Sequence, residues 1–178
     1  MKKAIVWHAA LACLLLLLCG CTLFGGGKTK AKSYAEIMNE KIVSFTDCAN
    51  RFSDSLDAIA GSLSAPSDRQ IAGIEKNLAA LEAACDSLAG QKAPAAYADA
   101  QKKLDEAMAD YGEAFAKCRA LLDFFKTYDA QFRELGDPVE GSAEMEQRER
   151  ALYGEFADAM RKAADSFRTA CNEFSVSG

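Results

Sequence analysis

The sequence predicts an all-α protein, an antiparallel up-down-up-down four-helix bundle, and three observations lead to this fold class. Apolar residues recur at alternating spacings of four and three, which is the heptad pattern of packed helices. No window alternates apolar and polar residues with the period of two that a half-buried strand shows. All three prolines, Pro66, Pro94 and Pro138, fall at breaks in the pattern and divide it into four segments. Short connections make neighbouring helices antiparallel.

The first two predicted helices cover residues 33–63 and 67–88. Each begins with a capping-box pattern, Ser33 with Glu36 and Ser67 with Gln70, and Gly90 is placed to cap the end of the second. The apolar stripe of the first helix is Met38, Ile42, Phe45, Ala49, Phe52, Leu56, Ile59 and Leu63. The stripe of the second is Ile71, Ile74, Leu78, Leu81, Cys85 and Leu88.

The third and fourth predicted helices cover residues 94–135 and 142–174, and each carries its apolar residues on one face. The stripe of the third is Leu104, Met108, Tyr111, Phe115, Cys118, Leu122, Phe125 and Phe132. The stripe of the fourth is Leu152, Phe156, Met160, Ala163, Phe167 and Phe174. The alternative architecture is a longer coiled coil that assembles only as an oligomer. Four amphipathic helices in one chain can cover each other, which favours the monomeric bundle.

The first twenty residues have the organisation of a cleaved signal peptide. A basic start, Met1-Lys2-Lys3, precedes a run from Ala4 to Leu18 in which every residue except His8 is apolar. As a helix, this run covers about 22 Å, which is short of the ~30 Å hydrocarbon core of a bilayer. A signal peptide over residues 1–20 is therefore preferred to a permanent membrane-spanning helix.

The run ends in Leu18-Cys19-Gly20-Cys21, which resembles the lipobox of bacterial lipoproteins. The resemblance implies that a peptidase cleaves before Cys21 and that the Cys21 thiol carries the diacylglyceryl anchor, with fatty acids such as palmitate. The alternative is ordinary cleavage near Gly20 that leaves Cys21 unmodified. The resemblance also implies localisation in the cell envelope, at the outer membrane where the organism has one and otherwise on the outer face of the cell membrane.

Residues 21–32 are predicted to form a flexible linker, since three glycines follow one another at positions 25–27. Lys28, Lys30 and Lys32 lie close to the lipid in this prediction. Lysines next to an anionic bilayer add roughly 1 kcal/mol of attraction each. A plain solvated spacer is the alternative, and the sequence leaves the choice open.

Removal of residues 1–20 changes which chemistry the chain can perform. Trp7 and His8, the only tryptophan and histidine, leave with the signal, as do Lys2 and Lys3, so the net charge becomes −7 from 19 basic and 26 acidic residues. This acidity argues against nucleic acid as a partner. Without histidine, Ser-His-Asp and Cys-His catalysis is excluded, and no cofactor or metal is expected. We expect a protein that is not an enzyme.

Four cysteines remain inside the bundle, one on each predicted helix: Cys48, Cys85, Cys118 and Cys171. For a turn centred near residue 66, Cys48 and Cys85 lie at nearly the same height, where a disulfide can form. Cys118 and Cys171 are offset by about 11 residues, or about 16 Å, around a turn near residue 139. The alternatives are four reduced core thiols or a four-thiolate metal site, which no Cys-x-x-Cys pair supports.

One stretch of the third helix is unusually rich in apolar side chains. A third helix of about 42 residues is longer than its neighbours, so its far part could extend beyond them and expose a surface for a protein partner. The alternative is that these residues belong to the core. The residues concerned are Leu121, Phe124, Phe125, Tyr128 and Phe132.

These observations favour a membrane-anchored envelope lipoprotein whose bundle is a non-catalytic scaffold or protein-interaction module. Its partners are the lipid bilayer, through acylated Cys21, and a protein of the envelope. The alternative is a lipoprotein that binds a small ligand in a pocket between its helices. The stretch from Pro94 to Ala100 resembles, over about one helix, small helical lipoproteins with no assigned activity, which implies nothing about mechanism.

Overall fold

The computed structural model describes residues 32–60, 66–135 and 142–177 of the 178-residue chain. Within these ranges the chain is helical apart from short connections and forms no strand, so the predicted all-α class is confirmed. Several predicted features lie outside the described residues: the predicted signal peptide, the lipobox-like motif with Cys21, most of the predicted linker, Leu63 and Pro138. The helices are α1 (Tyr34–Ala60), α2 (Asp68–Leu88), α3 (Ala98–Leu135) and α4 (Ser142–Ser177).

Both predicted capping boxes are present. At the start of α1, the Glu36 amide donates to Ser33 Oγ at 3.2 Å, and the Ser33 amide donates to Glu36 Oε2 at 2.7 Å. At the start of α2, Ser67 and Gln70 make the same reciprocal pair, with the Ser67 amide 2.9 Å from Gln70 Oε1. Gly90, with φ at 64°, follows the last turn of α2 in a conformation that glycine adopts without a Cβ clash.

The capping residue Ser67 allows a first test of the fold. We expect Ser67→Ala to lower the free energy of unfolding by about 1 kcal/mol, because the side chain satisfies an amide at the helix start that has no partner within the helix. Urea unfolding of both proteins measures the difference. Ser44→Ala, at an exposed position inside α1, serves as the control and should change stability by less than about 0.5 kcal/mol. Equal losses in the two variants would contradict the capping role.

The start of α3 differs from the prediction of a helix from residue 94. Pro94 has extended dihedral angles, φ −58° and ψ 155°, and residues Ala95–Tyr97 form one 3-10 turn before α3 begins at Ala98. The Tyr97 amide donates to the Pro94 carbonyl at 2.8 Å, which is the i→i+3 bond of this tighter turn. The connection from α2 therefore includes a short surface loop, which the sequence had assigned to the helix.

Contacts between consecutive helices join early residues of one helix to late residues of the next. In α1 and α2, the Lys41 ammonium donates to the Ser87 carbonyl at 2.5 Å, and Gln70 Nε2 donates to the Ala58 carbonyl at 3.4 Å. The ion pairs between α2 and α3 join Glu82 to Arg119 and Glu75 to Lys126. Those between α3 and α4 join Lys103 to Glu173 and Lys117 to Glu155.

The predicted stripes form one hydrophobic core, which supports a helical bundle. Phe45 of α1 is fully buried, with ring-centroid distances of 5.1 Å to Tyr111 of α3 and 4.8 Å to Phe167 of α4. A second aromatic contact joins Phe52 of α1 to Phe156 of α4 at 6.4 Å. Ile74, Leu78, Leu81 and Leu88 of α2 are buried in the same cluster. All four helices thus contribute to a shared interior.

Candidate functional site

Three of the five apolar residues predicted as a partner surface have described side chains. Leu121 and Phe125 are buried, at 2% and 6% exposed, and Phe124 is half-buried against the core. The side chains of Tyr128 and Phe132 lie outside the described part. The ion pair between Glu75 and Lys126 shows why the surface is covered, since α2 reaches the level of Lys126. Of the two alternatives that the sequence left open, Leu121 and Phe125 follow the core alternative and do not form an exposed partner surface.

The four cysteines of the bundle are present as thiols, so neither of the two disulfides that the sequence left open is formed. The contacts of Lys41 and Gln70 centre the pairing of α1 with α2 near residue 64, not near residue 66. Cys85 therefore lies about five residues, or roughly 7.5 Å, beyond the level of Cys48 along the helix axis. This offset removes the level arrangement on which the predicted pairing depended.

The second pair is further apart than predicted. The α3–α4 contacts place Lys103 level with Glu173 and Asp110 level with Ser166. In that register, Cys118 and Cys171 differ in height by about 13 residues, or roughly 20 Å. Cys118 is fully buried, whereas Cys171 is half-buried near the end of α4. The offset between these two thiols along the bundle axis is therefore at least as large as the offset predicted from the sequence.

Burial governs the acidity of the two thiols deepest in the core. Burial, aided by the negative charges of Asp86 and Glu82, raises the pKa of Cys85 to about 12. Burial also raises the pKa of Cys118 to about 12, and the nearby guanidinium of Arg119 opposes this only in part. A reactive cysteine requires a lowered thiol pKa. These two thiols therefore serve as apolar core groups and not as nucleophiles.

The raised thiol pKa values predict a loss of stability at alkaline pH. Above the ordinary thiol pKa, near 9, the unfolded chain releases the protons of Cys85 and Cys118 while the folded chain keeps them, so a rise in pH favours unfolding. Each thiol contributes at most about 1.4 kcal/mol per pH unit. We expect the free energy of unfolding of the reduced protein to decrease between about pH 9 and 10 in urea titrations. The buried Tyr111 and Tyr153, whose pKa values burial also raises, contribute a smaller part of this decrease because unfolded tyrosine ionises only near pH 10.

The double variant Cys85→Ala/Cys118→Ala is the control for this titration. It should be less stable than the parent at neutral pH but should lack most of the decrease between about pH 9 and 10. A wild-type stability that is constant over this interval would contradict the raised pKa values.

A cluster of aromatic rings closes the end of the bundle where α1 begins and α4 ends. Tyr34 of α1 lies 5.3 Å from Tyr97 of the 3-10 turn and 6.3 Å from Phe174 of α4, measured between ring centroids. The rings of Tyr97 and Phe174 are stacked at 6.1 Å. All three side chains are half-buried. We call Tyr34, Tyr97 and Phe174 the aromatic cap.

Hydrogen bonds hold the aromatic cap to the ends of α2 and α3. The Tyr34 hydroxyl donates to Gln101 Oε1 at 2.5 Å, and Gln101 Nε2 donates to the Leu88 carbonyl at 3.1 Å and to Asp105 Oδ1 at 2.7 Å. The Gly90 amide donates to the same Asp105 oxygen at 2.9 Å. Burial and the Asp105 charge raise the pKa of Tyr34, so its hydroxyl remains a donor at neutral pH. The network fixes the loop that leads from α2 into α3.

That loop is exposed at its outer side. Lys92, Pro94, Ala95 and Ala96 face solvent, and Tyr97 follows them in the aromatic cap. We call residues 92–96 the cap loop. Its exposed side chains are apolar except for Lys92, a composition that differs from the charged surfaces along the helices.

Sequence reasoning did not identify this cluster as a unit. Gln101 and Tyr97 continue the apolar stripe of α3 backward from Leu104 at spacings of three and four, and Gln101 is buried to 4% exposure. This continued spacing could have placed Gln101 and Tyr97 on the buried face of α3. That placement was not predicted, because a glutamine interrupts the apolar pattern. Tyr34 was also left out, because it lies before the first residue of the α1 stripe.

One buried polar atom in the described core has no partner, the hydroxyl of Tyr111. The residue is fully buried, and its ring contacts Phe45, Phe115 and Phe167 at centroid distances between 5.1 and 6.2 Å. Burial raises the pKa of Tyr111 far above its usual range. The hydroxyl therefore stays protonated but donates to no acceptor.

The lone hydroxyl leads to a prediction about Tyr111. We expect Tyr111→Phe to leave the free energy of unfolding unchanged or to increase it by about 1 kcal/mol, because a buried donor without a partner loses its hydrogen bonds to water on folding. Thermal unfolding of the two proteins measures the effect. Tyr34→Phe is the matched control and should destabilise, since that hydroxyl donates to Gln101. A loss of more than about 1 kcal/mol in Tyr111→Phe would contradict the assignment.

A polar groove of about 530 Å³ lies on the surface between α3 and α4. Its walls include Lys103, Glu106, Asp110 and Asp165. Burial acts to raise the pKa of Asp110, but hydrogen bonds from Lys162 and Ser166 outweigh it and lower the pKa overall. The carboxylate is thus held ionised in an ion pair with Lys162 at 2.9 Å. The groove is a seam of interhelical ion pairs, which accounts for its charged lining.

Two absences among the described residues bear on site chemistry. Among residues 32–60, 66–135 and 142–177, no three histidine, cysteine or carboxylate side chains gather in a way that could hold a metal ion. In the same ranges, no helix is long and apolar enough to span a bilayer. No protein family, no curated protein and no solved structure matches this chain.

Proposed function

We propose that this protein is an envelope lipoprotein, anchored by a lipid on Cys21, whose helical bundle is a non-catalytic scaffold or protein-interaction module. The anchor rests on the lipobox Leu18-Cys19-Gly20-Cys21, which follows directly after an apolar segment too short to span a bilayer. Two acyl chains provide the stable attachment that a single chain does not. The bundle then begins about a dozen residues after the lipid.

The observation that supports a non-catalytic role is the composition of the core. In the described part of the chain, no carboxylate, ammonium or guanidinium group belongs to a buried residue. The buried residues with polar atoms are Ser53, Gln101, two tyrosines and three cysteines, and burial raises the pKa of both tyrosines and of Cys85 and Cys118. Acid–base catalysis uses ionisable groups whose pKa values burial and neighbours bring near the working pH. The described carboxylates and ammonium groups instead lie on the surface, many of them in ion pairs between helices.

The order of the helix contacts supports the finer topology that we propose, an up-down-up-down arrangement. Each consecutive pair is joined in reversed order, and α1 also contacts α4 in reversed order, since Phe45 meets Phe167 and Phe52 meets Phe156. In this topology α1 and α3 lie diagonally and parallel. The contacts from α1 to α3 fit this arrangement, as Tyr34 reaches Gln101 and Phe45 reaches Tyr111.

Crosslinking in intact cells tests the proposed role. The tagged protein would be crosslinked, purified from membranes in detergent and analysed by mass spectrometry. We expect one envelope protein to copurify reproducibly with the wild type in stoichiometric yield. This partner should be absent from the Cys21→Ala sample, because the variant keeps the bundle but lacks the lipid. Recovery of the wild type alone, from membranes and at full yield, would overturn the scaffold role and leave the anchor standing.

Small-ligand binding between the helices is the second candidate, and the hydroxyl of Tyr111 is the observation in its favour. A buried donor without a protein acceptor could serve a ligand acceptor. Native mass spectrometry of protein purified from membranes tests this idea. A constant added mass that Tyr111→Phe abolishes would support a ligand, whereas the mass of the acylated chain alone would exclude a retained one.

A further inference from the structure

We infer that the aromatic cap and the cap loop rest in the headgroup layer of the bilayer, so that the bundle stands on the membrane by this end. The inference builds on the proposed lipid at Cys21 and adds a second, non-covalent contact. The occupant of this surface is thus phospholipid, recognised through its glycerol and phosphate region.

The position of the chain in front of the bundle favours this end. The described part starts at Lys32, next to Tyr34 of the aromatic cap, and about eleven residues separate Lys32 from Cys21. A flexible chain of that length has a typical end-to-end distance of roughly 18 Å. The opposite end of α1, at Ala60, is about 40 Å from the start of the helix. The lipid therefore holds the aromatic cap close to the membrane and the other end away from it.

The side chains at this end have the chemistry of a membrane interface. Tyrosine combines an apolar ring with a polar hydroxyl and is enriched at the level of lipid headgroups. Tyr34 and Tyr97 share the end with Phe174, and the exposed part of the cap loop adds Pro94, Ala95 and Ala96. Ile37, one turn after Tyr34, is exposed at 39%, which is unusual for a large apolar residue in this bundle. Together these residues form an apolar surface with polar atoms at its edge.

The charges near this surface suit lipid phosphates. Lys92 and Lys102 are exposed, and neither has an ion-pair partner among the described residues. The nearby carboxylates are engaged within the protein, because Glu36 caps α1, Glu40 pairs with Lys32 and Asp105 accepts from Gly90. Two further carboxylates lie at this end of the bundle. Asp99 is in the first turn of α3, where the positive end of the helix dipole offsets its charge, and Asp86 is exposed in the last turn of α2.

The surface is also fixed in shape before any membrane contact. The Gln101 side chain ties α1, α2 and α3 together beneath the aromatic rings, and Gly90 turns the chain into the cap loop. A preformed surface loses little conformational freedom on docking. The ends of all four helices meet the membrane together, which orients the bundle along the membrane normal.

The absence of tryptophan from the mature chain makes this docking measurable. The only tryptophan, Trp7, leaves with the predicted signal peptide. Tyr97→Trp then reports from the aromatic cap, and Phe124→Trp, at a half-buried position about 40 Å further along α3, is the matched control. Both full-length variants would be purified in acylated form and reconstituted into vesicles of phosphatidylethanolamine and phosphatidylglycerol. The vesicles would be made with and without lipids brominated near the headgroup, which quench tryptophan fluorescence.

We expect brominated lipids to quench the tryptophan at position 97 and to leave the one at position 124 at its bromine-free intensity. If brominated and bromine-free vesicles gave the same fluorescence at position 97, in protein that floats with the vesicles, the docking would be overturned and the anchor would remain. Equal quenching at positions 97 and 124 would likewise overturn the docking by this end. Protein that fails to float would overturn the anchor and the docking together. Circular dichroism of each variant confirms that the helices are intact, so that a folding defect is recognised as such.

A charge placed in the cap loop provides an independent test. Ala96→Glu, added to Tyr97→Trp, introduces a carboxylate into the proposed lipid contact and should abolish the quenching at position 97. Ala109→Glu, at an exposed position in the middle of α3, should leave the quenching unchanged. Lys92→Glu should lower the docked population by about fivefold or more, and Lys76→Glu should not. Quenching at position 97 that Ala96→Glu does not alter would overturn the proposed contact.

Discussion

Replacement of Cys21 by alanine is expected to abolish acylation of the protein. The lipobox resemblance makes the Cys21 thiol the atom that receives the diacylglyceryl group, and alanine offers no nucleophile at that place. Each buried methylene of an acyl chain contributes about 0.8 kcal/mol to membrane binding, so loss of two chains removes the stable attachment. Labelling with radioactive palmitate, together with the intact mass of the purified protein, measures the change. The wild type should carry label and lack residues 1–20.

The matched control for this experiment is Cys19→Ala. Cys19 lies two residues before Cys21 in the same motif, so the variant tests the chemistry of one position and not the general effect of removing a thiol. We expect Cys19→Ala to be cleaved and acylated like the wild type. Palmitate incorporation into Cys21→Ala at the wild-type level would disprove the assignment of the anchor, and so would an unmodified Cys21 in the mature wild type.

The helical class of the protein could be predicted because it depends on local and repeated signals. Phe45 and Phe52 belong to a stripe whose spacing requires a helix, and both are fully buried in the structure. The capping residues Ser33 and Ser67 act within one turn, so their roles were also visible in the sequence. The 3-10 turn before Ala98 was not predicted, because proline is acceptable both in such a turn and in the first turn of an α-helix.

The relative heights of residues on different helices were harder to predict. The expected level position of Cys48 and Cys85 assumed that the first turn is centred near residue 66, but the contacts of Lys41 and Gln70 centre it near residue 64. A two-residue error in the centre becomes an offset of about four residues across the hairpin, or about 6 Å. Disulfide geometry tolerates much less than that. Pairing between helices therefore requires the tertiary register, which loop sequences do not specify.

The aromatic cap illustrates the same limit at the level of a site. Tyr34, Tyr97 and Phe174 come from three separate elements, and each alone looks like an ordinary aromatic residue near a helix end. Only the folded arrangement places them together beside the start of the described chain. The sequence predicts an anchor at Cys21, and the structure supplies the surface that such an anchor would bring to the membrane.

Phe45→Ala is expected to lower the free energy of unfolding by about 3–5 kcal/mol, the largest effect of a single substitution that we expect in the bundle. The side chain is fully buried, and its ring packs on Tyr111 of α3 and Phe167 of α4, so alanine leaves a cavity where three helices meet. A domain of this size has a total stability of roughly 5–15 kcal/mol. Urea unfolding monitored by circular dichroism should therefore show a midpoint well below that of the wild type.

Val43→Ala is the matched control, two residues earlier on the same helix and 47% exposed, and it should change stability by less than about 0.5 kcal/mol. A double-mutant cycle with Phe167→Ala extends the test from burial to topology. If α1 packs against α4 as proposed, Phe45 and Phe167 should show a coupling energy of about 0.5–1.5 kcal/mol. A coupling energy of zero, with each single variant destabilised, would show that the two rings do not touch, which would contradict the proposed up-down-up-down arrangement.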